Sequence, residues 1–222
     1  MKKILLLAVY LHSASAFAGT EQLNGESEYL QATPYLNKFS QLIKEVDKRL
    51  TSGKSPKDSF SPYLDDIRLN AEKAATLLNQ ASHKNHPVAQ YRLAQIIDYL
   101  GSNEEKLEIC NLLKKSLYQG FPPAALEAAT LCSGFVNTPE FLIYAEESAR
   151  STRYSDYFPQ PSHFLSYCER PRKRTLIPQE GSEEEYQAAI FYLLGSKNEK
   201  PISGQYYKLA AEKGCSRANT RL

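Results

Sequence analysis

The sequence predicts an all-α fold: antiparallel helix pairs stacked side by side as an α-solenoid, interrupted by one irregular Pro-rich insertion at about 153–181. Three observations predict it. First, a pattern recurs in register around Asn85, Gly120 and Gly214. Four residues before each stand the small residues Ala81, Ser116 and Ala210. Eight and seven before stand Leu77-Leu78, Leu112-Leu113 and Tyr206-Tyr207. Four after come Ala89, Ala124 and Ala218; eight after come Leu93, Ala128 and Leu222. The first two copies lie 35 residues apart, a period typical of helix-pair repeats. Second, apolar residues between the turns recur at three- and four-residue steps, the helical period. Third, no stretch alternates apolar and polar residues with β-branched enrichment, as a half-buried strand would.

In chain order, Met1-Lys2-Lys3 is a cationic start and Ile4 to Leu11 an apolar run too short to span a bilayer. Ala16-Phe17-Ala18 offers small residues where a signal peptidase reads. Residues 1–18 are expected to be a cleavable secretory signal peptide. No Cys follows the apolar run to take a lipid anchor, and no later run reaches membrane-helix length, so the expected location is periplasmic, with secretion beyond it as the alternative. Residues 19–32 are polar and read as a flexible lead-in to one helical-repeat domain, 33–222.

Thr33-Pro34 reads as N-cap and first turn of a helix carrying Leu36, Phe39, Leu42-Ile43, Val46 and Leu50, ended by Ser52-Gly53. Lys54 to Phe60 is expected to be a loop. Ser61-Pro62 opens the next helix, with Leu64, Ile67, Ala71, Ala74-Ala75 and Leu78 on its apolar stripe. Asn85-His86-Pro87 turns into an answering helix closed by Gly101. Ser102 and Glu105 form a capping box for a helix facing inward through Leu107, Cys110, Leu113 and Leu117. Gly120 breaks it. Pro122 starts an Ala-rich return helix to Cys132, whose small residues let two backbones approach closely. Thr138-Pro139 caps a helix from Phe141 to about Arg150.

The insertion carries Pro159, Pro161, Pro171 and Pro178, several aromatics and a basic run; a short helix from Pro161 to Glu169 is expected inside it. Ser182 and Glu185 form a second capping box, for a helix ending at Gly195. The pair Gln205–Lys213 and Ser216–Leu222 completes the array.

The 222 residues, 42% hydrophobic and 23% charged, describe a globular chain rather than a disordered one. Without Lys2 and Lys3 the 27 basic residues fall to 25, equal to the 25 acidic. Nucleic-acid binding needs a basic excess to replace phosphate counter-ions, so it is not expected. Four Cys in an exported chain favour disulfides, and four allow three pairings. Cys110 and Cys132 stand 11 residues either side of Phe121, so two antiparallel helices joined there would set them opposite each other. Cys110–Cys132 is therefore expected, with Cys168–Cys215 as the remainder; four buried thiols are the alternative.

The stretch Tyr206 to Ala218 resembles the core of a SEL-like repeat, a relative of the tetratricopeptide repeat: an aromatic pair, two Ala, a polar pair, Gly, then Ala four residues on. Ala81 to Leu93 resembles the second half of the same motif. The Gly120 copy has Ser116-Leu117 in place of Ala-Ala, and the first copy has Asn85 in place of Gly. The resemblance covers about half of the chain after the signal peptide and has no place for the insertion. It implies a protein-binding scaffold of envelope or secretion pathways. Some exported bacterial members are immunity proteins that neutralise a lipase or another effector delivered by type VI secretion. A cysteine-rich secreted group has been linked to β-lactam binding, but its closely spaced Cys pairs are not matched here.

No Gly-x-Ser-x-Gly, phosphate-cradling Gly loop or zinc-protease motif occurs. His83 and His86 have a spacing that suits two metal ligands, but they straddle a helix end, so they read as a surface turn. A Cys168/His163 pair is the enzymatic or ligand-binding alternative, and a disulfide would remove its nucleophile. The expectation is a non-enzyme without cofactor or metal whose partner is another protein. A scaffold or adaptor in envelope assembly or signalling is the alternative to an immunity protein. The insertion supplies the candidate partner-binding residues: Tyr154, Tyr157, Phe158, His163, Tyr167, Arg170, Arg172, Lys173 and Arg174.

Overall fold

The computed structural model describes residues 23–101, 105–162, 165, 168 and 178–222. The expected signal peptide, Ser102 of the first capping box, and His163, Tyr167, Arg170, Arg172, Lys173 and Arg174 lie outside the described residues, as does most of the expected helix Pro161–Glu169.

Helix dominates. The order is α1 (Glu26–Thr51), α2 (Pro56–Phe60), α3 (Leu64–His83), α4 (Pro87–Leu100), α5 (Lys106–Tyr118), α6 (Pro122–Leu131), α7 (Ser133–Val136) and α8 (Pro139–Arg150). Strands β1 (Gln160–Ser162) and β2 (Gln179–Gly181) follow, then α9 (Glu183–Lys197) and α10 (Ile202–Glu212). Helices close in sequence pack on one another: α1 on α3, α3 on α4, α4 on α5, α5 on α6, α8 on α9 and α9 on α10, with α6 also reaching α9. No described helix is long and apolar enough to cross a membrane.

The recurring turn has one physical cause. Asn85, Gly120 and Gly214 all adopt the left-handed conformation, with φ of 62°, 83° and 90°. The next residue's N–H reaches back to the carbonyl five residues earlier: His86 to Ala81 at 3.1 Å, Phe121 to Ser116 at 3.3 Å, Cys215 to Ala210 at 2.9 Å. This is the Schellman closure of a helix, which satisfies its last carbonyls and favours Gly or Asn at the turn. Gly53 (φ 88°) closes α1 in the same way, with Lys54 N–H on Arg49 O at 3.1 Å. Ala81, Ser116 and Ala210 are fully buried, and so are the residues just after each turn: His86, Phe121 and Cys215. Phe121 meets Tyr91 and Tyr154 edge to face at 5.4 and 5.6 Å, so truncating it would cost about 3–5 kcal/mol.

Several elements depart from the expected boundaries. Helix α1 begins at Glu26, so the residues from Glu26 on belong to the fold rather than to a flexible lead-in. Pro34 sits inside this helix and removes one ladder donor, while Thr33 Oγ1 donates to Tyr29 O at 3.1 Å instead of capping. Buried Ala32 and Leu36 hold the turn in place, a case of packing outweighing a local breaker. The expected loop holds a short helix, α2, capped by Ser55, which accepts Asp58 N–H at 3.2 Å; α3 itself starts at Leu64 after Tyr63, with no side-chain cap from Ser61. On α5 the inward face is Ile109, Leu112, Leu113, Ser116 and Leu117, and Leu107 is 74% exposed. Helix α9 runs past Gly195, where a Cβ would come 2.8 Å from the Tyr207 ring of α10; close packing, not helix termination, places glycine there. After Cys215 the chain makes only a 3-10 turn at Ala218–Thr220, leaving Leu222 68% exposed.

The insertion adds a two-stranded antiparallel ribbon to the otherwise helical fold, with Gln160 paired to Gly181 and Ser162 to Gln179. Ser182 and Glu185 then form the capping box of α9, with bonds of 3.3 and 2.7 Å. Disulfides join Cys110 to Cys132 and Cys168 to Cys215. The first ties α5 to the end of α6; the second ties the insertion to the turn after α10. Two disulfides suit an oxidising, exported environment.

Candidate functional site

A groove of about 1160 Å³ runs along α1, between that helix, α4 and the insertion segment from Arg153 to Pro161. Its lining follows α1 from Glu26 to Lys44, about 27 Å at 1.5 Å per residue. At one end Lys44 reaches across to Glu180 of β2 at 3.5 Å, an exposed pair that contributes about 0–1 kcal/mol.

The floor is polar and buried. Arg92 and Gln95 lie three residues apart on one face of α4, and Glu127 comes from α6. Gln95 stands between the two charged residues. Its Oε1 accepts Arg92 Nη1 at 3.1 Å, and its Nε2 donates to Glu127 Oε1 at 3.1 Å. The same Nε2 lies 2.9 Å from Pro161 O and 2.8 Å from the Tyr91 hydroxyl. Tyr91 donates to Pro161 O at 2.6 Å, and Tyr186 of α9 donates to Gln160 O at 3.0 Å. Two tyrosines thus hold the carbonyls of β1 against the helices, and burial pushes both hydroxyls well above their ordinary pKa.

Glu127 is 2% exposed. Desolvation pushes its carboxyl up to about 7, against hydrogen bonds from Gln95 and Ser162 that favour the ionised form. Arg92 is 8% exposed. Among the described residues it forms one hydrogen bond, to the neutral Gln95, and no ion pair.

A second cluster stands at the start of α1. His86 Nδ1 accepts Ala89 N–H at 3.2 Å, capping α4. That leaves the ring proton on Nε2, which donates to Glu26 Oε2 at 2.9 Å. Tyr157 of the insertion donates its hydroxyl to the same carboxylate oxygen. Tyr29 stacks on the imidazole at 4.9 Å, and Tyr157 meets it edge on at 5.7 Å. Burial pulls the His86 pKa below its ordinary value, more than Glu26 raises it.

His86 is therefore not a surface residue, contrary to the sequence-based expectation; its ring is buried between α1 and the insertion. His83 is exposed. Tyr154, expected at a partner surface, is 2% exposed and donates to Gln119 O at 2.8 Å, so it presents no surface to a partner. Phe158 is half-buried between Phe121 and Tyr186. Tyr157 alone of the three described candidates lines the groove. Cys168 is bonded to Cys215, so the Cys168/His163 alternative loses its nucleophile. Among the described residues no three His, Cys, Asp or Glu side chains gather as a metal-holding group.

The sequence around the three left-handed turns carries further signals. His86 stands where the other copies have Phe121 and Cys215, all buried. Arg92 and Glu127 each stand seven residues after such a turn, at Asn85 and Gly120. A charge on the buried face of an Ala-rich helix is the informative exception. Comparison with protein-family models, curated proteins and solved structures yields no match.

Proposed function

We propose that this chain is a non-enzymatic, exported protein-binding repeat protein that holds a segment of a partner protein in the groove between α1, α4 and the insertion. The observation that carries this reading is the groove itself. Its length suits about eight residues of extended chain at ~3.3 Å each, and its volume lies at or above the ~300–1,000 Å³ of small-molecule pockets. A buried polar floor under a half-buried aromatic wall offers both hydrogen bonding and apolar contact. The resemblance to SEL-like repeats supports an α-solenoid and, in its most specific form, a periplasmic immunity protein that binds and neutralises an effector such as a lipase delivered by type VI secretion. A scaffold in envelope assembly uses the same groove with a different partner.

The test is capture of partners from periplasmic extract by the tagged protein and by Asn37→Trp, which fills the groove from an exposed lining position of α1. A partner held by the first and lost by the second supports the groove. Equal capture by both overturns it. Periplasmic co-expression with the captured effector then separates the versions: protection supports the immunity reading, and unchanged toxicity overturns it.

A further inference from the structure

We infer that Arg92 is the recognition point of this groove, and that the partner segment places one acidic side chain on its guanidinium. The inference rests on the groove-binding reading above and specifies the chemistry of the occupant.

Burying a guanidinium is costly unless its charge and its five N–H donors are met. Arg92 is nine-tenths buried, yet among the described residues its hydrogen-bond partner is the neutral amide of Gln95. Glu127, the carboxylate in the same hydrogen-bond network, is held on the far side of that amide. Gln95 thus keeps Arg92 and Glu127 from closing into an internal ion pair. Burial also keeps the Glu127 carboxyl near half-protonated at neutrality, so it competes weakly for the guanidinium. Glu26 is engaged as well, by His86 and Tyr157. A planar cation left facing a groove is suited to bidentate recognition of a carboxylate.

The geometry points to a side chain rather than a chain end. Arg92 lies close enough to Tyr29 for its charge to ease ionisation of that hydroxyl. The groove lining continues on both sides of Tyr29, to Leu23 just before α1 one way and along α1 to Lys44 the other. A segment lying in the groove therefore passes Arg92, and only a side chain descends to a group 8% exposed. Among the described residues the exposed lining carries Asp98, Asp156 and Glu180 against Lys44 and Arg153. That rim disfavours an acidic run and suits a single Asp or Glu with neutral or basic neighbours.

The test uses the full exported chain and a random library of peptides of about ten residues, acetylated and amidated so that side chains carry all the charge. Selected binders are measured by fluorescence anisotropy. The expected binders share one acidic residue, and its replacement by Asn or Gln weakens binding at least tenfold. Arg92→Gln binds the acidic and amide peptides equally, and Arg92→Lys recovers part of the difference. Far-UV circular dichroism checks the fold of each variant; if Arg92→Gln does not fold, the peptide substitution on the unaltered protein decides. Three results overturn the inference: binders without an acidic residue, a preference for acid that survives in Arg92→Gln, or, when a parallel library with free C-termini is screened, binding only by its members. A binder displaced by Asn37→Trp but indifferent to Arg92 leaves the groove standing and sinks this inference alone. No binder at all, or binders indifferent to both changes, sinks both.

Discussion

His86 Nε2 lies 2.9 Å from Glu26 Oε2, joining the first residue before α4 to the first turn of α1. The ring does two separable things. Nδ1 caps α4, and Nε2 ties α4 to α1 and, through Glu26, to Tyr157. His86→Ala loses both and also leaves a cavity, an expected cost of about 2–4 kcal/mol in urea denaturation. His86→Asn keeps a good N-cap and recovers about 1 kcal/mol of that loss. Equal stability of the two variants would show that the cap contributes nothing here.

The same residue predicts acid sensitivity. Its pKa in the folded chain is below the ordinary value of 6.5, so the unfolded chain binds the proton first. The contribution to stability is complete above pH 6.5 and is lost as pH falls through the lowered value. Protonating Nδ1 also turns the cap acceptor into a donor facing Ala89 N–H. The effect is read as a difference: on going from pH 7 to pH 5 the urea midpoint of the unaltered protein is expected to drop relative to that of His86→Asn, and parallel profiles would show that His86 does not carry the acid sensitivity.

Glu127 predicts the opposite slope. Its carboxyl is pushed up from 4.5 to about 7 by burial, so the folded chain holds the proton that the unfolded chain releases. This group's contribution therefore declines as pH rises from 4.5 to 7, by about 3 kcal/mol in all, and is constant above that. Glu127→Gln keeps an acceptor for Gln95 and removes the charge. It is expected to be the more stable protein at pH 8, with the advantage gone at pH 4.5. A variant less stable at pH 8 would mean that the ionised carboxylate is well solvated by its neighbours.

The disulfides close loops of different length, with sequence separations of 22 and 47. Chain-entropy reasoning assigns about 3 kcal/mol to the first and about 4 kcal/mol to the second. Cys168→Ser with Cys215→Ser is expected to cost more than the Cys110/Cys132 double variant, read as melting temperature. Thiol titration of the native protein is expected to find no free thiol; a reactive Cys168 would reopen the nucleophile reading.

The helical register was legible in the residues because its cause is local. A Schellman turn needs a left-handed residue and a helix of ordinary propensity before it, so Asn85, Gly120 and Gly214 announce themselves within a few positions. The capping box at Ser182 and Glu185 is local in the same sense. Pro34 shows the limit: the breaker is local, but the packing of Ala32 and Leu36 that overrides it is not. Leu107 and Leu222, apolar yet exposed, show the same limit from the other side.

The sequence by itself determined where α1, α3, α5 and α10 end and which small residues meet at those turns, since both follow from backbone chemistry and period. Only the tertiary structure decided that Arg92, Gln95 and Glu127 converge, that His86 is buried against Glu26, and that Tyr154 is spent on packing. Those facts depend on burial. Burial is the sum of contacts from α1, α4, α6 and an insertion far along the chain, and no single stretch of sequence contains that sum.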